Sequence, residues 1–129
     1  MTIGDNQLSK SAQLDQVIAN MRRAIPELHG MMIASVDGLA IAHDFSEGDA
    51  DRVAAMAATA LGLGTRITER TNLGQLAESV IRGDRGYLVV YSAGDEAVLV
   101  LSGPINSNLG LMRIEARLAA VEIKRILGD

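Results

Sequence analysis

The chain has 129 residues, a formal net charge of -4 and no cysteine. A length of about 100 to 150 residues is typical of one domain, so we predict a single domain over residues 1–129. Without cysteine, the chain forms no disulfide, thiolate nucleophile or cysteine zinc site. Aromatic residues make up only 2% of the chain. Because nucleic-acid binding relies on basic surfaces and aromatic stacking, this composition argues against it.

The N-terminal sequence MTIGDNQLSKSAQLDQ lacks the basic start and the apolar run of a signal peptide. No stretch of the chain approaches the roughly 18 continuous apolar residues of a membrane span. We therefore expect a cytoplasmic protein that does not insert into membranes. Residues 1–8 carry no periodic pattern and are expected to be flexible.

The first periodic segment predicts an amphipathic helix, which Pro26 ends. Either Ser9 or Ser11 is placed to cap its start. Its apolar residues follow the spacing i, i+3, i+4, i+7 and i+11 and are Leu14, Val17, Ile18, Met21 and Ile25.

Two apolar runs flank Asp37-Gly38 and predict a hairpin with strands at 30–36 and 39–44. Asp-Gly suits a two-residue type I′ turn, because both central residues of that turn need a positive φ. The register that follows pairs Val36 with Leu39 and Met32 with His43.

The segment ADRVAAMAATALGLGTRI, from Ala50 to Ile67, predicts a helix that is apolar nearly all round. Ser46 and the acidic residues Glu47, Asp49 and Asp51 favour its start by capping and by their charge near the helix dipole. With 3.6 residues per turn, the helix carries two apolar stripes. The bulky stripe is Val53, Met56, Ala60, Leu63 and Ile67, and the small stripe is Ala54, Ala57, Ala58, Leu61 and Thr65.

Three further apolar runs, QLAESVIRG, GYLVVYSA and EAVLVLSG, are separated by short turns and predict an antiparallel meander. A last helix begins near Asn108, and its seam is Met112, Ala116, Ala119, Ile123, Ile126 and Leu127. Ile114 and Val121 fall on the opposite side of that helix. The predicted fold class is an α+β sandwich in the order α-β-β-α-β-β-β-α. Its five-stranded antiparallel sheet has helices on both faces, because the central strands are apolar on both sides.

The middle helix has more apolar surface than the other elements of one chain can cover. We expect its bulky stripe to fill the sheet face and its small stripe to pack against the same helix of a second copy, across a two-fold axis. Gly62 and Gly64 each cost about 1 kcal/mol of helix propensity relative to Ala, and close approach of two helices explains them. The alternative is that the alanines are simply tolerated in solvent.

The strand QLAESVIRG contains neither proline nor lysine, the residues that commonly protect a free edge from pairing with another chain. We expect it to pair with its own copy and to join two sheets. The alternative is that Glu78 and Arg82 already block this edge. The predicted dimer interface is Ala54, Ala57, Ala58, Leu61, Gly62, Thr65, Leu76, Glu78 and Val80.

The segments IPELHGMMIAS and VDGLAIA, the helix DRVAAMAATALGLG, the strand pair YLVVYSAGDEAVLVL and the closing helix LGLMRIEARLAAVEIKRIL resemble the Roadblock family of dynein light chains. The chain looks most similar to the prokaryotic MglB-like branch, which regulates Ras-like GTPases. The resemblance implies a profilin-like layout, a homodimer with paired central helices and joined edge strands, and a small Ras-like GTPase as partner. It implies no catalytic residue and no cofactor. A light-chain-like structural adaptor or a small-ligand-sensing domain that leaves GTP hydrolysis unchanged is the alternative.

The sequence lacks the motifs of nucleotide-binding loops and serine hydrolases, and its acidic and histidine residues do not match a metal site. ALGLGTRIT has neither the lysine of a phosphate loop nor a preceding strand, and no G-x-S-x-G occurs. The acidic run HDFSEGDAD does not match the spacing of an EF-hand calcium loop. In the predicted hairpin register His29 and His43 lie too far apart to share a metal. Arg66, Arg70 and Arg85 are expected to be solvated rather than to act as arginine fingers.

Overall fold

The computed structural model describes residues 8–45 and 47–128, with Glu47 described by its backbone alone. The predicted cap Ser46, and all of the predicted flexible segment 1–8 except Leu8, lie outside these residues. The helices are α1 (Lys10–Ala24), α2 (Glu47–Arg70) and α3 (Leu109–Leu127). The strands are β1 (Gly30–Ser35), β2 (Ala40–His43), β3 (Glu78–Arg82), β4 (Gly86–Ala93) and β5 (Ala97–Pro104).

All five strands form one antiparallel sheet in the order β2-β1-β5-β4-β3. The strands β2 and β3 are the two edges. Helices α1 and α3 cover one face of the sheet, and α2 covers the other. The predicted fold class, element order and two-sided helix cover are confirmed.

The core between the sheet and the pair α1 and α3 is built from large aliphatic side chains. The predicted apolar face of α1 is buried, and Ser9 caps the helix by accepting a hydrogen bond from the Ala12 N–H at 3.1 Å. Asn108 caps α3 in the same way, through the Leu111 N–H at 3.0 Å. The predicted seam of α3 is buried apart from Leu127, which is half-buried. Both helices therefore follow from their own apolar spacing.

An ion pair joins the end of α1 to the sheet. Arg22 donates to the Asp44 carboxylate at 2.7 Å, and the other oxygen of that carboxylate accepts the backbone N–H of Met31, also at 2.7 Å. Because Asp44 directly follows β2, these bonds fix the end of β2 against β1 and α1.

The core between the sheet and α2 is thinner, because the helix meets the sheet with small side chains. Ala54 is 0% exposed and Ala57 is 3% exposed. They pack on Val90, Val98 and Val100 of the sheet. Small side chains let the helix axis lie close to a sheet that supplies bulky valines, and α2 contacts all five strands.

This arrangement corrects the sequence prediction for α2. Of the bulky stripe, Val53 packs against this core, but Met56, Leu63 and Ile67 are exposed. The sheet face is covered instead by residues of the small stripe, which are Ala54, Ala57 and the half-buried Leu61. The physical reason is that the volume between helix and sheet is already filled from the sheet side, so bulky residues on that helix face would not fit.

The β1–β2 hairpin has a three-residue loop instead of the predicted type I′ turn. The Gly38 N–H donates to the Ser35 carbonyl at 3.0 Å, and the Ser35 N–H donates to the Leu39 carbonyl at 2.8 Å. Gly38 has a φ of 93°, while Asp37 is not among the residues with positive φ. A type I turn followed by a left-handed glycine explains the bonding. The predicted pairing of Met32 with His43 is confirmed, but a bulge between Ile33 and Ala34 shifts the register before the loop.

Candidate interaction surface

The outward side of α2 carries a ridge of bulky apolar residues. Met56 is 64% exposed, Leu63 57% and Ile67 50%. Together with Ala60 they follow the spacing i, i+4, i+7 and i+11, so they lie within about 60° of each other on the helix. We call these four residues the α2 ridge. A continuous exposed apolar ridge of this kind is typical of an interaction surface.

Threonine hydroxyls on α2 add little polarity to this surface. The Thr59 hydroxyl donates to the Ala55 carbonyl at 2.9 Å, and the Thr65 hydroxyl donates to the Leu61 carbonyl at 2.8 Å. Because these donors are satisfied one turn back in the helix, the side chains present mainly their methyl groups outward.

The α2 ridge lies on the flank of the helix that is nearer to β3. On the other flank, a Cβ added at Gly38 in the β1–β2 loop would lie 3.2 Å from the Ala55 Cα. A Cβ added at Gly64 would lie 2.9 Å from both a Leu76 methyl group and the Ser79 hydroxyl oxygen, beside β3. Ala60 of the ridge lies one turn before Gly64 and therefore on the β3 flank of the helix. Ala55 lies on the other flank, beside the β1–β2 loop. The ridge therefore faces the edge of the sheet that β3 forms.

At this edge, β3 carries two charged side chains that are held by its own chain. The Arg113 guanidinium of α3 donates to both Glu78 oxygens, at 2.9 and 2.8 Å. The Arg82 guanidinium carbon lies 5.9 Å from the centre of the Tyr87 ring. Val80, between the two charges, is exposed.

The ion pair of Glu78 lies near a buried tyrosine. Tyr91 is the cross-strand neighbour of Glu78, and its hydroxyl oxygen is buried without a hydrogen-bond partner in the described residues. Burial raises the pKa of Tyr91 to about 12; Glu78 adds to the rise and Arg113 opposes it. The neutral phenol is therefore the form that the fold favours.

The predicted interface residues separate into three groups. Ala54 and Ala57 are buried against the sheet and have no surface to offer a partner, so their assignment is wrong. Ala58 and Leu61 are half-buried, while Gly62 and Thr65 are exposed on α2. The group Leu76, Glu78 and Val80 lies at the β3 edge, which the α2 ridge faces. The role of these last two groups in a dimer stays a prediction.

Sequence reasoning assigned the α2 ridge to the sheet face, whereas the structure leaves Met56, Leu63 and Ile67 exposed. Met56 with Leu63 and Ala60 with Ile67 are spaced seven residues apart, and this spacing is the feature of the sequence that could have indicated an outward-facing apolar ridge. Gly64 was expected to admit a second helix, but it admits Leu76 and Ser79 of the same chain. Nothing lies within 4 Å of a Cβ added at Gly62.

The described residues hold no group of three or more His, Asp or Glu side chains that could hold a metal ion. His29 and His43 are not brought together, because His43 pairs with Met32 inside the sheet, whereas His29 precedes β1. No helix in the described ranges is long and apolar enough to cross a membrane. What the surface offers is apolar contact and an open sheet edge.

These features define a class of protein: an α+β sandwich in which one helix covers one face of the sheet and exposes an apolar ridge beside an open sheet edge. Residues 11–102 match the model of the Roadblock/LC7 domain, and the chain belongs to this family. Uncharacterized protein MJ1340 of Methanocaldococcus jannaschii is 34% identical over 112 residues, covering 86% of this chain and 96% of the relative.

Solved structures share the fold. The Roadblock/LC7 domain from Streptomyces avermitilis is similar with a TM-score of 0.83 and 20% identity, covering 89% of this chain and 98% of that chain. The gliding protein MglB from Thermus thermophilus is similar with a TM-score of 0.81 and 20% identity, covering 92% and 91%. The family model confirms the predicted family, and these structures confirm the predicted fold.

Proposed function

We propose that the chain is a homodimeric interaction module that regulates or scaffolds a small Ras-like GTPase in the cytoplasm, without catalytic residues of its own. The observation that carries the proposal is the α2 ridge beside the β3 edge. Both are apolar or hydrogen-bonding surfaces that one chain leaves exposed, and both face the same side of the molecule.

In the proposed dimer, a two-fold axis runs beside β3. The two β3 strands pair antiparallel and join two five-stranded sheets into one. The α2 ridges then lie side by side on one face of the joined sheet. Because an isologous interface uses the same patch twice, each apolar residue of the ridge contributes in both copies.

The charges on β3 favour this pairing over a blocked edge. Glu78 and Arg82 are four residues apart and so lie on the same face of the strand. A two-fold axis at Val80 places Glu78 of each copy opposite Arg82 of the other. Opposite charges across neighbouring strands stabilise pairing by about 0.2–1 kcal/mol each. Glu78 and Arg82, which could block an isolated edge, are therefore complementary in charge to the same residues of a second copy.

The GTPase part of the proposal is supported by membership of the Roadblock/LC7 family and by the fold shared with MglB. The sequence resembles the branch of that family that regulates Ras-like GTPases. Since the chain has no phosphate-binding loop of its own, the nucleotide in the complex belongs to the partner. The dimer acts by contact with the GTPase and by positioning it.

A binding and hydrolysis assay tests the GTPase part. The purified protein is mixed with a Ras-like GTPase encoded near its gene, loaded with GTP or with GDP, and both capture and hydrolysis rate are measured. We expect capture that depends on the bound nucleotide. A changed hydrolysis rate shows regulation, and capture with an unchanged rate shows scaffolding. Absence of capture in both nucleotide states contradicts the GTPase proposal.

A matched pair of variants connects the assay to the dimer. Leu63→Glu places a charge on the α2 ridge, and Leu39→Glu places the same charge on the exposed hairpin at the opposite edge of the sheet. We expect Leu63→Glu to abolish both dimer and capture, and Leu39→Glu to keep both. If Leu63→Glu remains dimeric by sedimentation, the interface is wrong even when the GTPase binds.

A further inference from the structure

A hollow opens between α3 and the strands β3 and β4, on the opposite side of the sheet from α2. Its volume is about 160 Å³. It exists because α3 presents alanines next to Tyr91, and such small side chains leave space above the sheet. We call it the α3 hollow, and its lining includes Glu78, Tyr91, Arg113, Ala116, Arg117 and Ala120.

Tyr91 supplies a buried hydrogen-bond donor to the wall of the α3 hollow. The residue is 8% exposed, and its hydroxyl oxygen has no hydrogen-bond partner in the described residues. Both oxygens of the neighbouring Glu78 accept from Arg113 instead, at 2.9 and 2.8 Å. Because a buried hydroxyl without a partner is destabilising, an acceptor that reaches it from the hollow gains a favourable hydrogen bond.

Two guanidinium groups border the hollow from the same side of α3. Arg113 and Arg117 are four residues apart and are therefore neighbours on the helix surface, where like charges repel each other. Arg113 is paired with Glu78 through Nε and one terminal nitrogen. Arg117 makes no hydrogen bond or ion pair with any residue that the structure describes. Two arginines and one glutamate leave the lining with a net charge of +1.

These groups fit a ligand with one negative charge and a short apolar part. A planar carboxylate matches the fork of N–H donors on a guanidinium, and such charge-assisted hydrogen bonds are stronger than neutral ones. The methyl groups of Ala116 and Ala120 form an apolar wall for carbon atoms. A space of this size holds a few water molecules, and it therefore has room for a ligand of about six non-hydrogen atoms, such as butyrate.

We propose that the α3 hollow is a binding site for a small monocarboxylate. The carboxylate lies between Arg113 and Arg117 and accepts the hydrogen bond that Tyr91 donates, while the carbon chain lies against the alanines. The Tyr91 hydroxyl is closed to water in the structure, so the ligand reaches it when the side chain of Arg113, which is 47% exposed, moves aside. Because the raised pKa of Tyr91 keeps its phenol protonated, the donor is present at neutral pH. The site goes beyond the proposed function and does not depend on it.

Titration of the isotope-labelled protein with butyrate, followed by NMR spectroscopy, tests the proposal; a reference titration with sodium chloride matches the ionic strength. We expect saturable shifts of the backbone amide signals of β4 and α3 around the hollow, with a dissociation constant on the order of 1 mM. Butyramide has the same number of non-hydrogen atoms as butyrate but no charge, and we expect it to leave these signals in place. The titration needs neither a GTPase nor a dimer, so its outcome is separate from that of the proposed function.

Two variants connect the binding to the named groups. Arg117→Gln removes the guanidinium charge and is expected to weaken butyrate binding about tenfold. Tyr91→Phe keeps the ring and removes the hydroxyl, and we expect binding to weaken about fivefold. The matched control Arg125→Gln removes a guanidinium from the same helix outside the hollow, where Arg125 is paired with Glu122, and should leave butyrate binding unchanged. Circular dichroism checks that all three variants keep the helix signal of the wild type.

Four results would overturn the proposal. The first is the absence of saturable shifts at butyrate concentrations well above the expected dissociation constant. The second is equal binding of butyramide, which would show an apolar hollow that does not recognise an anion. The third is an equal weakening by Arg117→Gln and Arg125→Gln, which would show a general effect of charge. The fourth is unchanged butyrate binding by Tyr91→Phe, which would place the carboxylate away from the hydroxyl.

Discussion

Leu63→Ala separates the contribution of the α2 ridge to assembly from its contribution to folding. The substitution removes three carbon atoms, and at about 0.8 kcal/mol per buried carbon their complete burial is worth about 2.4 kcal/mol. Leu63 is 57% exposed in the isolated chain. Covering that remaining surface with a second copy contributes about 1.4 kcal/mol per chain by the same scale. Both copies carry the substitution, so the dimer loses about 3 kcal/mol, which is roughly a hundredfold in the dissociation constant.

The effect of Leu63→Ala on the free energy of unfolding is expected to be much smaller. The part of Leu63 that is already buried accounts for about 1 kcal/mol of the free energy of unfolding. We would measure the dissociation constant by sedimentation over a dilution series. We would measure the free energy of unfolding by urea denaturation, at a concentration where both proteins are monomeric. We expect a large change in the dissociation constant and a small change in the free energy of unfolding.

Leu39→Ala is the control, because it removes the same three carbons from a side chain that is 69% exposed at the opposite edge of the sheet. It should leave the dissociation constant unchanged. An equal effect of both substitutions, or no effect of Leu63→Ala on assembly, would refute the reasoning that the α2 ridge is covered by its own copy.

The remaining predictions concern the stability of the chain. Ala57→Glu buries a carboxylate without a partner between α2 and the sheet, which costs several kcal/mol of folding free energy. Circular dichroism should therefore show loss of the cooperative fold. A stable, folded variant would contradict the packing of the small stripe. Gly62→Ala removes the helix cost of glycine at a position with nothing nearby and should raise the free energy of unfolding by about 1 kcal/mol. Gly64→Ala should raise it less, because its Cβ meets Leu76 and Ser79 at 2.9 Å; equal gains in urea denaturation would argue against that close approach. The pKa of Tyr91 is raised from 10.0 to about 12, so the stability it confers is complete below pH 10 and is lost as the pH rises from 10 to 12. Tyr91→Phe should reduce this loss of stability at alkaline pH. The Tyr87→Phe variant leaves Tyr91 as the one tyrosine of the chain, and ultraviolet titration of this variant should show ionisation well above pH 10. Ionisation near pH 10 would contradict the burial of the hydroxyl.

Much of the candidate surface could be identified from the sequence, but which of its residues are exposed and which are buried could not. Periodicity showed that α2 is apolar on two sides, and the absence of proline and lysine marked β3 as an unprotected edge. The spacing of Met56, Leu63 and Ile67 was visible as well. What periodicity does not contain is which of two apolar stripes meets the sheet. That choice depends on how much space the sheet's own side chains leave.

The hairpin shows the same division on a smaller scale. Asp37-Gly38 fixed the position of the turn and the need for a left-handed glycine. The three-residue length of the loop goes with the bulge between Ile33 and Ala34, which shifts the register of β2 against β1 by one residue. The preference of Asp37-Gly38 for a turn acts over a few residues and does not contain this shift in register.

The sequence by itself determined the element order, the capped start of α1, the start of α3 near Asn108, the sheet with apolar strands on both faces, and the family. These features depend on spacing and on local hydrogen bonding, which a linear sequence expresses directly. Only the tertiary structure decided which face of α2 is buried and that the α2 ridge lies beside the β3 edge. The physical reason is that burial depends on the volume left by side chains from distant segments, and no single segment carries that information.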